Sequence, residues 1–430
     1  MKTLFKNGVV ITANEKNEWF ECGYILVEDQ VIVEVGAGNG PAEESVDQVI
    51  DLKGKWLMPG WVNTHGHAAM SILRGHGDDL PLQEWLENKM WPMEAKFTAE
   101  TVRWGTSLAV LEMLKSGTTC FVDMYDHMGT VAEVVDQSGM RAVLSRGVIG
   151  LCPEDVQKKK LEEATEFAVR WNQAAGGRIT TMMSPHAPYT CPPDYIQRIV
   201  EKAVELNLPV HIHMSETERE VLQNVQDYGQ RPVAHLRDLG VFERPTLVAH
   251  AVHLEEDEME ILQHHNVKIS HNPASNLKLG SGIAPIPRLL ERGFRVSVGT
   301  DSTASNNNLD MFQEIRLAAL IHKGMSQDPT VVPAEVALKM GTSWGAEAVF
   351  LENVGSLEAG KEADFIILNP QQAHLQPVKH PLSHIIYSAT GHDVEDVYVQ
   401  GKAVVKNKKC VALDEEKIIY EANRMYQSLM

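Results

Sequence analysis

Residues 56–70 read WLMPGWVNTHGHAAM, an apolar run that ends on two histidines spaced two apart, His65 and His67. On an extended strand, residues i and i+2 project from the same face. Both imidazoles can therefore aim at one point. Seven further β-type runs follow: TTCFVDMY, RAVLSRGV, ITTMMSPH, PVHIHMSE, TLVAH, VKISHN and RVSVGTD. Longer amphipathic segments separate most of them, such as TAETVRWGTSLAVLEMLKSG and PPDYIQRIVEKAVELNL. Alternating strand and helix implies a parallel sheet. Eight such units predict an α/β chain built on a closed (β/α)8 (TIM) barrel. A doubly wound open sheet is the rival, but the chain has no glycine-rich nucleotide loop to favour it.

Outside this middle region the pattern changes. GYILVEDQVIVEVGAG holds two β-rich runs around EDQ, a hairpin signal. Near the other end, ADFIILN and DVYVQGKAVVKNKK are strand-like, the second turning at Gln400-Gly401. The two ends are expected to form one small composite β domain. Its parts are residues 1–56 and 353–430, the latter with a terminal helix, flanking a metal-dependent barrel over 57–352.

Composition narrows the function classes. In 430 residues, 43% are hydrophobic and 23% charged, as in an ordinary soluble enzyme. A net charge of −19 argues against a nucleic-acid partner, which needs clustered cations. The one basic run, Lys158 to Lys160, is flanked by Glu154, Asp155, Glu162 and Glu163 and reads as a solvated helix face. Cys22, Cys120, Cys152, Cys191 and Cys410 are odd in number and scattered, which suggests a reducing compartment. MKTLFKNGVVITANEKNEWF lacks a signal-peptide core, and no run of about 20 apolar residues occurs. A cytoplasmic protein with no membrane contact is expected.

Most of the eight runs end on a polar side chain: His65 and His67, Asp123, Arg146, His186, His213 and Glu216, His250, His271, and Asp301. In a parallel barrel all these ends share one rim, where barrel enzymes do chemistry. A catalytic zinc takes nitrogen and oxygen ligands and keeps a position open for water. His65, His67, His213 and Asp301 supply such a set. His211 shares the face of His213 but sits one layer lower, as interior packing. The fourth run carries no lysine that could bridge a second ion, so a single metal is expected. The Pro-Cys-x-x-Cys signature of the nucleobase deaminases is absent.

NTHGHAAM, SPHAPYTCP, HIHMSETERE, AHAVHL, SHNPASNLKLGSGIAP and GTDSTASNNNLDMFQE together resemble the amidohydrolase superfamily. Within it they resemble the 5'-methylthioadenosine/S-adenosylhomocysteine deaminases. The similarity spans nearly the whole chain, including GSLEAGKEADFIILN. It implies one Zn²⁺ per subunit, with iron as the alternative, and a small nucleoside substrate. It also implies a homo-oligomer, dimer or tetramer. A metal-activated water would attack C6 of an adenine ring and expel ammonia, with Asp301 as base. Glu216 would protonate N1, and His250 would hydrogen-bond the attacking hydroxyl.

The same resemblance assigns substrate contacts to Glu94, Arg146 and His186, beside Glu216 and Asp301. Glu94 would accept hydrogen bonds from both ribose hydroxyls. Trp85 and Met90 would wall the pocket for a thioether tail, and the Lys158 to Lys160 run is a candidate for the amino-acid carboxylate. Each has a plainer reading. Glu216 can cap the helix that SETERE opens, Glu94 can be a surface carboxylate, and Trp85 and Met90 can be helix packing. Gly66 stands where many relatives have a bulkier residue. The competing reactions are deamination of a free base such as guanine and dechlorination of a triazine. A non-catalytic relict barrel is the competing class.

Overall fold

The first apolar run is two strands rather than one, and they belong to different sheets. The structure, a computed structural model, describes residues 1–430. It opens with an antiparallel meander of β1 (Lys2–Ile11), β2 (Trp19–Glu28) and β3 (Val31–Ala37). β4 (Gln48–Asp51) and β5 (Trp56–Pro59) lie parallel to β1 along its other edge. The chain then turns at Gly60 into β6 (Trp61–Asn63), the first barrel strand. A Cβ on residue 60 would lie 2.2 Å from the side chain of Thr119, so the crossing demands glycine. Alternation in an apolar run does not reveal such a change of sheet, because both halves are buried.

The parallel strands follow in sequence order. They are β7 (Thr118–Tyr125), β8 (Arg141–Val148), β9 (Ile179–Thr181), β10 (Ser184–Pro185), β11 (Val210–Met214), β12 (Thr246–His250), β13 (Lys268–His271) and β14 (Ser297–Val298). β9 and β10 both pair with β8 and form one interrupted stave, giving eight in all. Met183 bridges that stave to Val210. The ring closes where Thr64 N–H donates to Val298 O at 3.1 Å and Asp301 N–H to His65 O at 3.0 Å. The expected barrel is thus closed, not an open sheet.

The end of the chain returns to the first sheet through β15 (Phe365–Leu368), β16 (Val394–Val399), β17 (Lys402–Lys406) and β18 (Lys409–Cys410). β15 pairs antiparallel with β5, so strands from both ends make one composite sheet. Phe5, Phe365 and Tyr398 pack within it, with ring centroids 4.7–5.2 Å apart. A single core of 76 buried residues runs from the barrel into this sheet, through Trp56, Ile366 and Val397. Buried Arg141, at the foot of β8, adds a polar tie. Its Nε donates to Asp364 at 2.7 Å, and Asp364 accepts Gln400 N–H at 2.8 Å. No helix is long and apolar enough to cross a membrane.

Candidate metal centre and reaction pocket

His65 and His67 leave the rim just beyond β6, and His213 lies on β11 near its end. Asp301 follows β14. Their ligand atoms lie together at the rim in two overlapping groups, His65 with His67 and His213, and His65 with His250 and Asp301. His67 Nε2 lies 3.3 Å from His213 Nε2 and 3.3 Å from Asp301 Oδ1, and His65 Nε2 lies 3.5 Å from the same oxygen. Metal–nitrogen bonds of about 2.0–2.1 Å in a tetrahedron set neighbouring ligand atoms about 3.3–3.4 Å apart.

The ring tautomers follow from the partners on the far side. His67 Nδ1 faces Met124 O at 2.7 Å, and His213 Nδ1 faces His186 O at 2.7 Å. A carbonyl only accepts, so both Nδ1 atoms carry hydrogen and both Nε2 atoms face the cluster. His65 is fixed through His211. Leu247 O takes the His211 Nδ1 proton at 3.0 Å, so His211 Nε2 accepts from His65 Nδ1 at 3.0 Å. His65 Nε2 is left as a buried lone pair with no hydrogen-bond partner. Burial, reinforced by neighbouring imidazoles, holds His65 and His213 far below the usual imidazole range. Ring nitrogens converge there beside a carboxylate, with His65 Nε2 unpartnered. A divalent cation satisfies them all, so the donor set fits a metal.

His250 differs. Its Nδ1 accepts from Asn276 Nδ2 at 3.0 Å, which leaves Nε2–H as a donor pointing toward Glu216 Oε2, 3.7 Å away. Burial lowers its pKa to about 4, so it donates as a neutral ring. The two acids beside it sit in opposite states. Burial, then the carboxylates of Asp301 and Glu220, push Glu216 well above the ordinary range. Burial also raises Asp301, but His67, His250 and the hydroxyls of Ser275 and Ser305 outweigh it and hold its carboxyl low. Those hydroxyls donate to Asp301 Oδ2 at 2.6 and 3.0 Å. The surroundings thus shift two carboxyls of a single cavity in opposite directions, the kind of arrangement that divides acid from base roles.

The backbone is strained at the same places. His250 has φ 76° and Asp301 φ 58°. Non-glycine residues rarely adopt this region, and it costs about 1–3 kcal/mol each. Bonds from the surroundings hold both, including His250 N–H to Asn272 Oδ1 at 3.2 Å. Gly299 permits the closure beneath, since a Cβ there would meet His65 N at 2.6 Å.

Glu216 does not cap the following helix. Thr217 caps helix Glu218–Tyr228, and Glu220 turns back to accept Ser215 N–H and Glu216 N–H, both at 2.8 Å. Freed of that duty, Glu216 lines a cavity of about 600 Å³ with His67, His213, His250 and Asp301. Leu82, Trp85, Leu86, Trp91 and Glu94 form one wall. Glu94 accepts from the Tyr125 hydroxyl, and burial raises its pKa. Arg146, Lys160, His186 and Tyr189 also line it. Arg146 is paired with Asp126 at 3.2 Å and Glu163 at 3.5 Å, and His186 Nδ1 is bonded to Thr190 Oγ1 at 2.9 Å.

Several expected residues lie elsewhere. Met90 is fully buried in an apolar cluster and does not line the cavity. Of the lysine run, only Lys160 reaches it, donating to Ile149 O at 3.0 Å. Lys159 stays 77% exposed beside Glu163. His271 turns away to His322, Nε2 to Nε2 at 3.3 Å. Asp123 is buried, accepts Ala68 N–H at 2.9 Å, and has its pKa pushed up to about 7 by burial. A Cβ on Gly66 would point at Val122 O, 3.3 Å away, rather than at the cluster. The sequence reading missed Glu220, Asn276, Ser275, Ser305 and Tyr125. All but Tyr125 sit within the quoted motifs, where polar residues beside a ligand were the available signal.

A closed parallel barrel with a His/Asp cluster at its mouth and acids beside it is the site of a metal-dependent hydrolase. The chain belongs to the amidohydrolase family, whose profile matches residues 56–404. It is 52% identical over 434 aligned positions to a 5-methylthioadenosine/S-adenosylhomocysteine deaminase of Halalkalibacterium halodurans, covering 100% of this chain and 99% of that one. Among solved structures it resembles a zinc-bound adenosine deaminase from Xanthomonas campestris. That match has a TM-score of 0.94 and 34% identity, over 99% of this chain and 98% of the other. A zinc complex of atrazine chlorohydrolase from Arthrobacter aurescens TC1 superposes with a TM-score of 0.92 at 24% identity, over 99% and 100% of the two chains. That likeness bears on the fold alone.

Proposed function

We propose that this enzyme hydrolytically deaminates the adenine ring of S-adenosylhomocysteine and 5'-methylthioadenosine, with adenosine as a further substrate, yielding the hypoxanthine ring and ammonia. The metal is one Zn²⁺ per chain, held by His65, His67, His213 and Asp301. The observation that carries the reading is that Glu216, His250 and Asp301 line one cavity with the histidines His67 and His213. The similarity to a deaminase of these nucleosides supports the substrate class.

When bound, the cation supplies Lewis acidity that brings the pKa of a water molecule toward neutrality. Asp301 takes a proton from that water as its oxygen adds to C6. Glu216 delivers a proton to N1, so negative charge does not accumulate on the purine. His250 donates its Nε2–H to the attacking oxygen. Collapse of the tetrahedral carbon breaks the C6–N bond: the amino group leaves as ammonia with the proton held by Asp301, and the hydroxyl proton passes to Glu216 as the C6 carbonyl forms. Glu94 accepts hydrogen bonds from the ribose hydroxyls, and Trp85 lies along the 5' thioether. Arg146 and His186 face the substrate as well. A free base has no diol for Glu94, which sets guanine-like substrates and triazines second. The protein acts as a homo-oligomer in the cytoplasm.

The test is ammonia release from a panel of adenosine derivatives, free bases and a chlorotriazine. The reading expects turnover of the 5'-thio nucleosides far above the bases. Preferential turnover of guanine or a triazine contradicts it.

A further inference from the structure

The wall that carries Glu94 is one helical segment, Leu82–Trp85 and Trp91–Glu94 in α form joined by a π-turn over Leu86–Met90, with Pro92 just inside the second α-turn. An isolated helix shorter than about 12–15 residues is marginal in water. Its geometry must come from what it packs against.

Part of that support is the helix Glu415–Leu429, from the far end of the chain, which itself packs on the helix Ala99–Lys115 and on Ala68–Leu73. Ala422, Met425 and Leu429 are buried in one apolar cluster with Trp85, Met90 and Met93 of the wall. Met90 and Met93 lie in this cluster and not on the cavity, Glu94 lines the cavity, and Trp85, Leu86 and Trp91 belong to both. Leu73, Leu279 and Ala304, from three rim loops, complete the cluster. Polar ties fix the helix in register. Lys96, two residues after Glu94, donates to Leu429 O at 2.7 Å, and Tyr426 Oη lies 3.5 Å from His76 Nδ1. Arg424 pairs with Glu100 at 2.6 Å, and Lys115 with Glu415 at 2.5 Å. Both partners lie on the helix Ala99–Lys115 that follows the wall.

We propose that Met425 and Leu429 are positioning residues for the pocket: through Met90 and Met93 they set the depth at which Glu94 and Trp85 present themselves to the sugar and its 5' substituent. The terminal helix is thereby part of the specificity apparatus, although none of its residues touches the cavity. The consequence for sugar binding rests on the role proposed for Glu94. The packing consequence does not.

Two measurements on the full chain separate these. Hydrogen exchange of residues 82–97 reads the packing alone. In Met425→Ser or Leu429→Ser, exchange there is expected to quicken about tenfold, with strands β11 to β13 unchanged. Unchanged exchange over 82–97 overturns the proposal whatever the substrate. Kinetics with 5'-methylthioadenosine read the consequence. KM is expected to rise about tenfold with kcat within about twofold, since a displaced contact far from C6 weakens binding. Met425→Leu restores KM. In a Glu94→Ala background the serine substitution adds a smaller rise, because only the Trp85 contact is left to displace. A lower melting temperature with unchanged KM, or a full additional KM rise in the Glu94→Ala background, contradicts the positioning role. Lys96→Met removes one tie without opening the core, and an intermediate rise in KM is expected.

Discussion

His211 Nε2 accepts the Nδ1 proton of His65 at 3.0 Å, one layer beneath the rim. This bond aims the lone pair of His65 Nε2 at the cluster. Bonds that orient a metal's histidine ligand are usually worth 10- to 100-fold in metal affinity. His211→Leu is expected to lose zinc affinity by about that factor while keeping the barrel's circular dichroism. Zinc content after dialysis against graded chelator checks it. Affinity equal to wild type would make His211 mere filling.

Glu216→Gln keeps the shape of the acid but cannot give up a proton to N1. We expect kcat to fall by about 10²- to 10⁴-fold with zinc content unchanged. The pH profile carries the sign. Glu216 acts in its protonated form, and its raised pKa keeps that form present near neutrality. The form is lost as pH climbs through the folded value, so kcat declines on the alkaline side. The glutamine variant should lack that decline, and a profile parallel to wild type would remove Glu216 from the proton path.

Glu94→Ala removes the acceptor proposed for both ribose hydroxyls. Hydrogen bonds to a charged group contribute about 1.5–3 kcal/mol, so KM for nucleosides should rise at least tenfold. Residual turnover of free adenine should not change. Equal losses on both substrates would place Glu94 in the chemistry rather than in sugar recognition.

Glu314 lies behind the site, fully buried, accepting from Asn306 Nδ2 at 2.5 Å and Ala274 N–H at 3.3 Å. Burial pushes its pKa up to about 8 from 4.5. Between those values the folded chain keeps a proton that the unfolded chain releases. This group's contribution to stability therefore falls as pH rises from about 4.5 to 8 and is level above. Gln mimics the protonated acid, so the melting temperature of Glu314→Gln should gain on wild type from pH 5 to pH 8. A constant offset between the two would refute the assignment.

Much of this architecture is legible in the chain because barrel strands end on the residues that do chemistry. The runs closing on His65, His213, His250 and Asp301 fixed both the stave count and the rim. What stayed hidden depends on contacts between distant segments. Gly60 divides one apolar run between two sheets because Thr119 crowds it, and no local pattern encodes Thr119 as a neighbour. Glu220, rather than Glu216, answers the amides at the turn because Thr217 already caps the helix. Lys160 and Lys159 are adjacent in sequence, yet helical rotation sends one to the cavity and the other to solvent. His271 ends a strand as the others do but finds His322 instead of the cluster.

The central claim is that four side chains hold one cation and that deamination depends on it. Metal-free protein titrated with zinc, while ammonia release from 5'-methylthioadenosine is followed, tests it directly. Activity should rise linearly and break at one equivalent per chain, with His213→Ala showing neither tight binding nor turnover. Full activity before any zinc is added, or a break at two equivalents, would contradict the account.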